Sequence, residues 1–271
     1  MKERVRLPVV AVLLAVMLAL TAVPAAAITG GEQDGEGHPN VGLMIADIDG
    51  EPVWRCSGTL IAPRVFLTAG HCVGDGATGA RVWFDTNLED NEEYPYGGET
   101  SIEGRPVPHD DYAWEGSDPH DVGVVILDEP VTGIDPAPLP DPDLLGQLKK
   151  DRILRPGGRD GAYFTAVGYG RTLASWPPPE LASDRIRRVV ASEYVALTKT
   201  HLHVSQKAVF DEGGTCFGDS GGPSFWVDGE GNEIVVAVTS TGDAQCVATG
   251  LNYRVDVQEI LVWITSQFPQ D

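Results

Sequence analysis

Three short stretches of the chain put hydroxyl, imidazole and carboxylate groups where chemistry can use them. The densest is Gly213-Gly214-Thr215-Cys216-Phe217-Gly218-Asp219-Ser220-Gly221-Gly222-Pro223, with five glycines in one run. So much glycine suits neither a helix nor a regular strand. It suits backbone that must come close to something else. Between Gly218 and Gly221-Gly222, Ser220 can present its hydroxyl with no neighbouring Cβ in the way. The N–H groups of Gly218 and Ser220 can then converge on a developing oxyanion. Taken alone, the stretch also fits a glycine-rich hairpin turn.

A serine hydroxyl is a weak nucleophile until a base takes its proton. The histidines are His38, His71, His109, His120, His201 and His203, all upstream of Ser220. Gly218-x-Ser220-x-Gly222 also fits a nucleophile elbow, but that fold needs a histidine after the serine. Chain order excludes it. His71 is the best base: it follows the apolar, β-prone Val65-Phe66-Leu67-Thr68 and the small Ala69-Gly70, and Cys72 beside it can fix its position. The acid that orients the imidazole is expected to be buried. Asp121 leads directly into the apolar run Val122-Gly123-Val124-Val125-Ile126-Leu127, whereas Pro119 separates Asp118 from that run.

Thr68-Ala69-Gly70-His71-Cys72, Asp121-Val122-Gly123-Val124 and Gly218-Asp219-Ser220-Gly221-Gly222-Pro223, in that order, resemble the chymotrypsin/trypsin family of serine endopeptidases, secreted bacterial type. The likeness runs from about Ile28 to Phe268. It implies a catalytic set of His71, Asp121 and Ser220, with an oxyanion hole of the Gly218 and Ser220 amides. It implies an S1 pocket with Gly214 at its base, lined by Thr215, Ser240, Thr241, Gly242 and Gly250. Ser240 is also placed to hydrogen-bond Asp121. No aspartate stands at Gly214, so a cationic P1 side chain lacks a partner there. The expectation is a deep, uncharged slot for a large apolar P1 residue, with Asp243 and Glu212 close enough in sequence to change that. Thr241 replaces the tryptophan common in the family.

Four cysteines allow three pairings. The resemblance implies Cys56–Cys72 and Cys216–Cys246, which are also the shortest loops, each adding about 3 kcal/mol in the chain-entropy model. It also implies an activation pair: a freed Ile28 amine, at the start of Ile28-Thr29-Gly30-Gly31, meeting the Asp219 carboxylate. A buried carboxylate needs such a cation.

The elements that must position these groups follow from composition. With 271 residues, 42% of them hydrophobic, the chain can bury one large core or two smaller ones. Residues 1–27 read as a signal peptide: Lys2, Arg4 and Arg6, then apolar Val9 to Val23, then Ala25-Ala26-Ala27. The apolar run is shorter than the ~20 residues of a spanning helix. A soluble extracellular protein is expected, activated by export itself. The net charge of −21 argues against nucleic acid or an anionic membrane as a partner.

Pro130, Pro136, Pro138, Pro140 and Pro142 mark a linker. It divides an N-terminal half, 28–135, with His71 and Asp121, from a C-terminal half, 136–271, with Ser220. Short β-runs recur on both sides, at 122–127, 164–167, 187–190, 234–239 and 253–255. The fold class read from them is all-β in two domains. The resemblance sharpens it to two six-stranded antiparallel β-barrels with the site in the cleft between them. Val257, Ile260, Leu261, Ile264 and Phe268 have helical spacing, and Asp256 with Glu259 resembles a capping box, so a C-terminal amphipathic helix is expected over 256–268. Trp176-Pro177-Pro178-Pro179 reads as an exposed loop near the cleft.

The chemistry needs no cofactor and no metal. Asp85 to Glu93 offers oxygen ligands for calcium, but the D-x-D-x-D-G pattern is absent and such a run is ordinarily a solvated loop. His201-Leu202-His203 puts two imidazoles on one strand face without a third ligand, as an ordinary surface strand does. Expected partners are protein or peptide substrates and a proteinaceous inhibitor of a monomeric enzyme. A non-catalytic binder and an esterase are the rival classes. The first usually lacks a member of the set kept here.

Overall fold

The computed structural model describes residues 28–157, 160–175, 180–207 and 213–269. The expected leader, the Trp176–Pro179 loop and Glu212 lie outside the described residues.

The described chain is mainly strand. After the two-residue β1 (Glu32–Gln33) come β2 (Val41–Ile48), β3 (Glu51–Ala62), β4 (Val65–Thr68), β5 (Gly79–Trp83), β6 (Ile102–Pro108) and β7 (Gly123–Leu127). β2 to β7 close into an antiparallel barrel in the order β2-β3-β4-β7-β6-β5. The second set is β8 (Tyr163–Gly168), the hairpin β9 (Thr172–Ser175) and β10 (Glu180–Ala182), β11 (Arg188–Leu197), β12 (His201–Ser205), β13 (Pro223–Val227), β14 (Glu233–Gly242) and β15 (Thr249–Arg254). Here the order is β11-β12-β15-β14-β13-β8, closed by the β8–β11 pairing, with β1 added on the edge of β11. These are the two six-stranded barrels expected. Closure leaves few open strand edges.

β2 shows how the pattern places the halves. Its eight residues VGLMIADI are nearly all buried, which one half-solvated strand would not require. Met44 and Ala46 point into the first barrel with Cys56, Phe66 and Val125. Leu43 and Ile45 point the other way, against Trp83 and Tyr169, and Tyr169 follows β8 of the second barrel. A larger cluster joins Val41, Leu67 and Val124 to Val238, Val255 and Ile264. Each such aliphatic side chain contributes about 1.5–3 kcal/mol when fully buried. Apolar packing thus sets the barrels against each other and fixes the cleft.

The C-terminal helix forms over Gln258–Ser266 and buries Ile260, Leu261, Trp263 and Ile264. Its start differs from the expected capping box. Asp256 precedes the helix, fully buried, and pairs with Arg254 at 2.8 Å. It also accepts the Leu145 N–H at 2.8 Å, from a short helix, Leu144–Lys150, that the proline-rich sequence did not announce.

Candidate active site

β4 ends at Thr68, and the chain turns through Ala69 into the single helical turn Gly70–Val73, which carries His71. Cys72 is bonded to Cys56 of β3, so the turn is tied to the barrel wall. Asp121 lies just before β7, which pairs with β4, so the two neighbouring strands bring His71 and Asp121 together. Asp121 is fully buried. Its Oδ1 accepts the His71 backbone N–H at 2.8 Å. His71 Nδ1 lies 3.0 Å from Oδ2 and 3.1 Å from Oδ1. Ser240 Oγ donates to Oδ2 at 2.5 Å from β14, across the cleft. Burial alone would raise the Asp121 pKa, but the His71 ring, the Ser240 hydroxyl and the His71 N–H together hold it below the ordinary carboxylate value. Asp118, the competing acid, instead accepts the Tyr253 hydroxyl at 2.8 Å.

Ser220 and His71 line one cavity of ≈ 250 Å³. Among the described residues Ser220 Oγ makes no hydrogen bond. Around it, backbone donors divide into two groups. The N–H groups of Asp219, Gly221 and Gly222 donate to Cys216, Thr239 and Asp219 carbonyls at 2.8–3.0 Å. Those of Gly218 and Ser220 donate to no described group. Two free amides beside a free hydroxyl are what an oxyanion site requires. Gly218 has φ +98°, and a Cβ there would meet Gly170 Cα at 3.1 Å and Arg55 Nε at 3.3 Å. Ser57, on β3, holds this peptide: its hydroxyl donates to the Gly218 carbonyl at 2.9 Å and accepts the Tyr169 N–H at 3.0 Å. Cys216 is bonded to Cys246, so both expected disulfides form.

Asp219 is fully buried beneath the turn. It accepts N–H bonds from Gly170 at 2.7 Å and Cys216 at 2.8 Å. Among the described residues no cation pairs with it. Burial pushes its pKa up to about 7, against the pull of those amides and the Arg55 charge. The expected Ile28 partner is elsewhere in this uncleaved chain. Ile28 is buried with Ala166 and Val190, and its nitrogen is part of a peptide bond.

The expected pocket residues do not all reach the cavity. Thr215, Ser240, Thr241 and Gly242 line it, with Phe217, Asp243 and Cys246. Gly214 and Gly250 do not, because Gln206 stands between. A Cβ on Gly214 would lie 2.4 Å from Gln206 Cγ, and one on Gly250 would lie 3.0 Å from Gln206 Nε2. Gly214 is instead bridged to Thr29, N–H to carbonyl in both directions at 3.0 Å. Asp243 lines the cavity but accepts N–H bonds from Gln245, Val247, Ala248 and Thr249 at 2.8–3.2 Å. Burial raises its pKa less than those four amides lower it. Sequence reasoning missed Gln206, Ser57 and Trp114, whose exposed ring meets His71 edge-on at 5.4 Å.

Two groups of metal-ligating side chains gather within 4.8 Å among the described residues: Cys56, His71 and Cys72, and His109, Asp111 and His120. Both thiols of the first are in a disulfide. In the second the rings stack at 4.8 Å, and His109 Nδ1 already accepts the Asp111 N–H at 3.1 Å. His201 bonds Thr200 Oγ1 at 2.9 Å and meets the Tyr253 ring edge-on.

Comparison with known proteins identifies the family and the fold. The Trypsin family profile matches residues 29–264. A CLIP domain-containing serine protease B15 of Anopheles gambiae is 27% identical over 87% of this chain and 67% of its own length. Serine protease 1 of Drosophila melanogaster is 27% identical over 78% of this chain and 72% of its own. These relatives come from insects and lend no support to a bacterial type. The solved structure of HL collagenase has the same fold, with a TM-score of 0.64 at 18% identity, over 90% of this chain and all of that one. This chain belongs to the Trypsin family and is a serine endopeptidase that acts on protein or peptide substrates.

Proposed function

We propose that the chain is an exported endopeptidase in which Ser220 is the nucleophile, His71 the general base and acid, and Asp121 the residue that orients His71. One observation carries this reading. The hydrogen-bonded series Ser240–Asp121–His71 opens on the same cavity as Ser220, beside the free amides of Gly218 and Ser220. Ser220 Oγ bonds to the peptide carbonyl carbon while its proton passes to His71 Nε2. The carbonyl oxygen takes the negative charge between the two amides. His71 then gives the proton to the leaving amine as the C–N bond breaks. Water attacks the acyl ester by the same route and restores Ser220. Ser220→Ala is expected to cut peptide hydrolysis by about ten-thousand-fold or more. Retention of activity within tenfold would falsify the assignment. Organophosphate labelling, followed by paired peptide and ester substrates, separates this reading from an esterase and from a binder.

Activation follows from Asp219. Cleavage after Ala27 frees the Ile28 amine, whose charge is the partner that buried carboxylate lacks. Fully active protein beginning several residues upstream of Ile28 contradicts this step. Export accords with the leader-like sequence of 1–27, and no described helix is long and apolar enough to cross a membrane. The reaction draws on no cofactor. Calcium, if any, belongs to the concave surface of Asp85, Asp90, Glu92, Glu93 and Glu99. The enzyme works as a monomer, and an inhibitor acts by filling the cleft. The apolar P1 preference rested on an open slot above Gly214. Gln206 occupies that slot, so the preference loses its support.

A further inference from the structure

The chemistry of the P1 site follows from Gln206, which stands just after β12 and is 2% exposed in effect, sealed within the pocket wall. Its side-chain orientation is fixed. Nε2 lies 2.6 Å from the Thr215 carbonyl, which can only accept, so nitrogen occupies that position and oxygen the other. Nε2 also donates to Thr215 Oγ1 at 3.3 Å. Gln206 Oε1 is buried and has no hydrogen-bond partner among the described residues. Gln206 and Thr215 both line the cavity that holds Ser220. The Thr215 hydroxyl accepts from Gln206 and donates to no described group, so its proton is available. An unpaired buried acceptor and a hydroxyl with an unused proton thus both belong to the lining of the slot.

Buried polar atoms are nearly always paired, and an unpaired one in the wall of a binding cavity is a place for a ligand group to complete. We infer that the S1 slot selects a side-chain carboxamide, glutamine or asparagine, at P1, its N–H donating to Gln206 Oε1 and its oxygen accepting from Thr215 Oγ. This deepens the endopeptidase reading above and rests on it. An aliphatic or aromatic P1 side chain leaves Oε1 desolvated and unpaired. A carboxylate meets an acceptor and the Asp243 charge, with no lysine or arginine in the described lining. A lysine or arginine can donate to Oε1, but the one described carboxylate in the lining, Asp243, has its oxygens taken up by four amides of its own turn. A site built to hydrogen-bond its substrate rejects an analogue lacking that group far more strongly than an apolar pocket rejects a size change.

The test compares peptide substrates that differ only at P1, using the processed enzyme. Glutamine is expected to exceed its near-isostere norleucine by at least tenfold in kcat/KM, and lysine and glutamate by more. Gln206→Met removes the acceptor at similar volume and should bring the glutamine-to-norleucine ratio to one or below. Gln206→Glu adds charge and should shift preference towards lysine. A wild-type ratio near one, a preference for lysine or arginine, or a ratio unchanged in Gln206→Met overturns the inference while leaving the endopeptidase intact. A second readout needs no turnover. Product peptides ending in glutamine or norleucine are titrated into Ser220→Ala protein, with the Gln206 side-chain amide followed by NMR. Tighter binding of the glutamine peptide with a shift at Gln206 supports the inference, and equal binding overturns it. If that binding holds but no peptide is cleaved and organophosphate does not react, the failure lies with the proposed chemistry instead.

Discussion

Two carboxylates beside Ser220 are equally hidden from solvent and are treated in opposite ways. Asp121 is met by an imidazole, a hydroxyl and a backbone N–H, and its pKa falls. Asp219 is met by two backbone N–H groups and, among the described residues, by no cation within ion-pair distance, and its pKa rises to about 7. Burial is common to both, so it does not decide the outcome. What decides is whether the shell supplies enough positive charge and donors to replace water. The Asp121 pocket is complete in the uncleaved chain. The Asp219 pocket supplies amides alone, and burial prevails.

The contrast can be broken or sharpened in three ways. The largest effect is expected at the complete pocket. Asp121→Asn keeps the shape but favours the wrong His71 tautomer, and turnover should drop by about ten-thousand-fold. A loss under a hundredfold means the imidazole is held by something else. The incomplete pocket should respond to processing and pH. Because the folded pKa of Asp219 lies above its ordinary value, its contribution to stability is full below about pH 4. That contribution disappears as pH rises through about 7. In the uncleaved chain, carried as Ser220→Ala to prevent self-digestion, Tm should therefore climb by several degrees between pH 8 and pH 5. Protein beginning at Ile28 should show a flatter slope. His38, whose pKa is raised to about 9 by the Asp34 and Glu233 carboxylates despite the opposing effect of burial, contributes equally to both forms. Parallel slopes would remove the cation argument. The smallest effect belongs to Ser57→Ala, which frees the Gly218 carbonyl. A fall of about tenfold in kcat with KM little changed is expected, since one oxyanion donor is loosened and not removed. A change confined to KM would place Ser57 in substrate binding.

The parts of this protein legible in its sequence are those where a local run already contains its own reason. Glycines crowd around Ser220 because Gly218 needs φ +98° and Gly221 needs φ +78°. Asp121 reads as buried because the strand after it is apolar throughout. The repeated short β-runs indicate only an all-β fold in two domains, and closure into barrels is implied by the resemblance alone. The unread parts depend on partners distant in the chain. Asp256 looks like a helix cap, but Arg254 and the Leu145 amide claim it first. Gly214 looks like the base of a pocket until Gln206 is folded over it. Nothing near Gln206 in sequence marks a neutral amide as a specificity group, because its meaning is an oxygen left without a donor.

Ser240 reaches from the second barrel to hold an aspartate of the first, and Ser57 reaches from the first to hold a peptide of the second. Each half therefore keeps custody of a part the other half needs. A chain whose halves have folded but not docked, or one nicked and drifting apart, keeps the His71–Asp121 pair of the first barrel but lacks the Ser240 bond on Asp121, the Ser57 bond on the Gly218 carbonyl and the cavity that Ser220 and His71 share. Complete assembly of both halves is therefore the condition for any chemistry in the cavity between them.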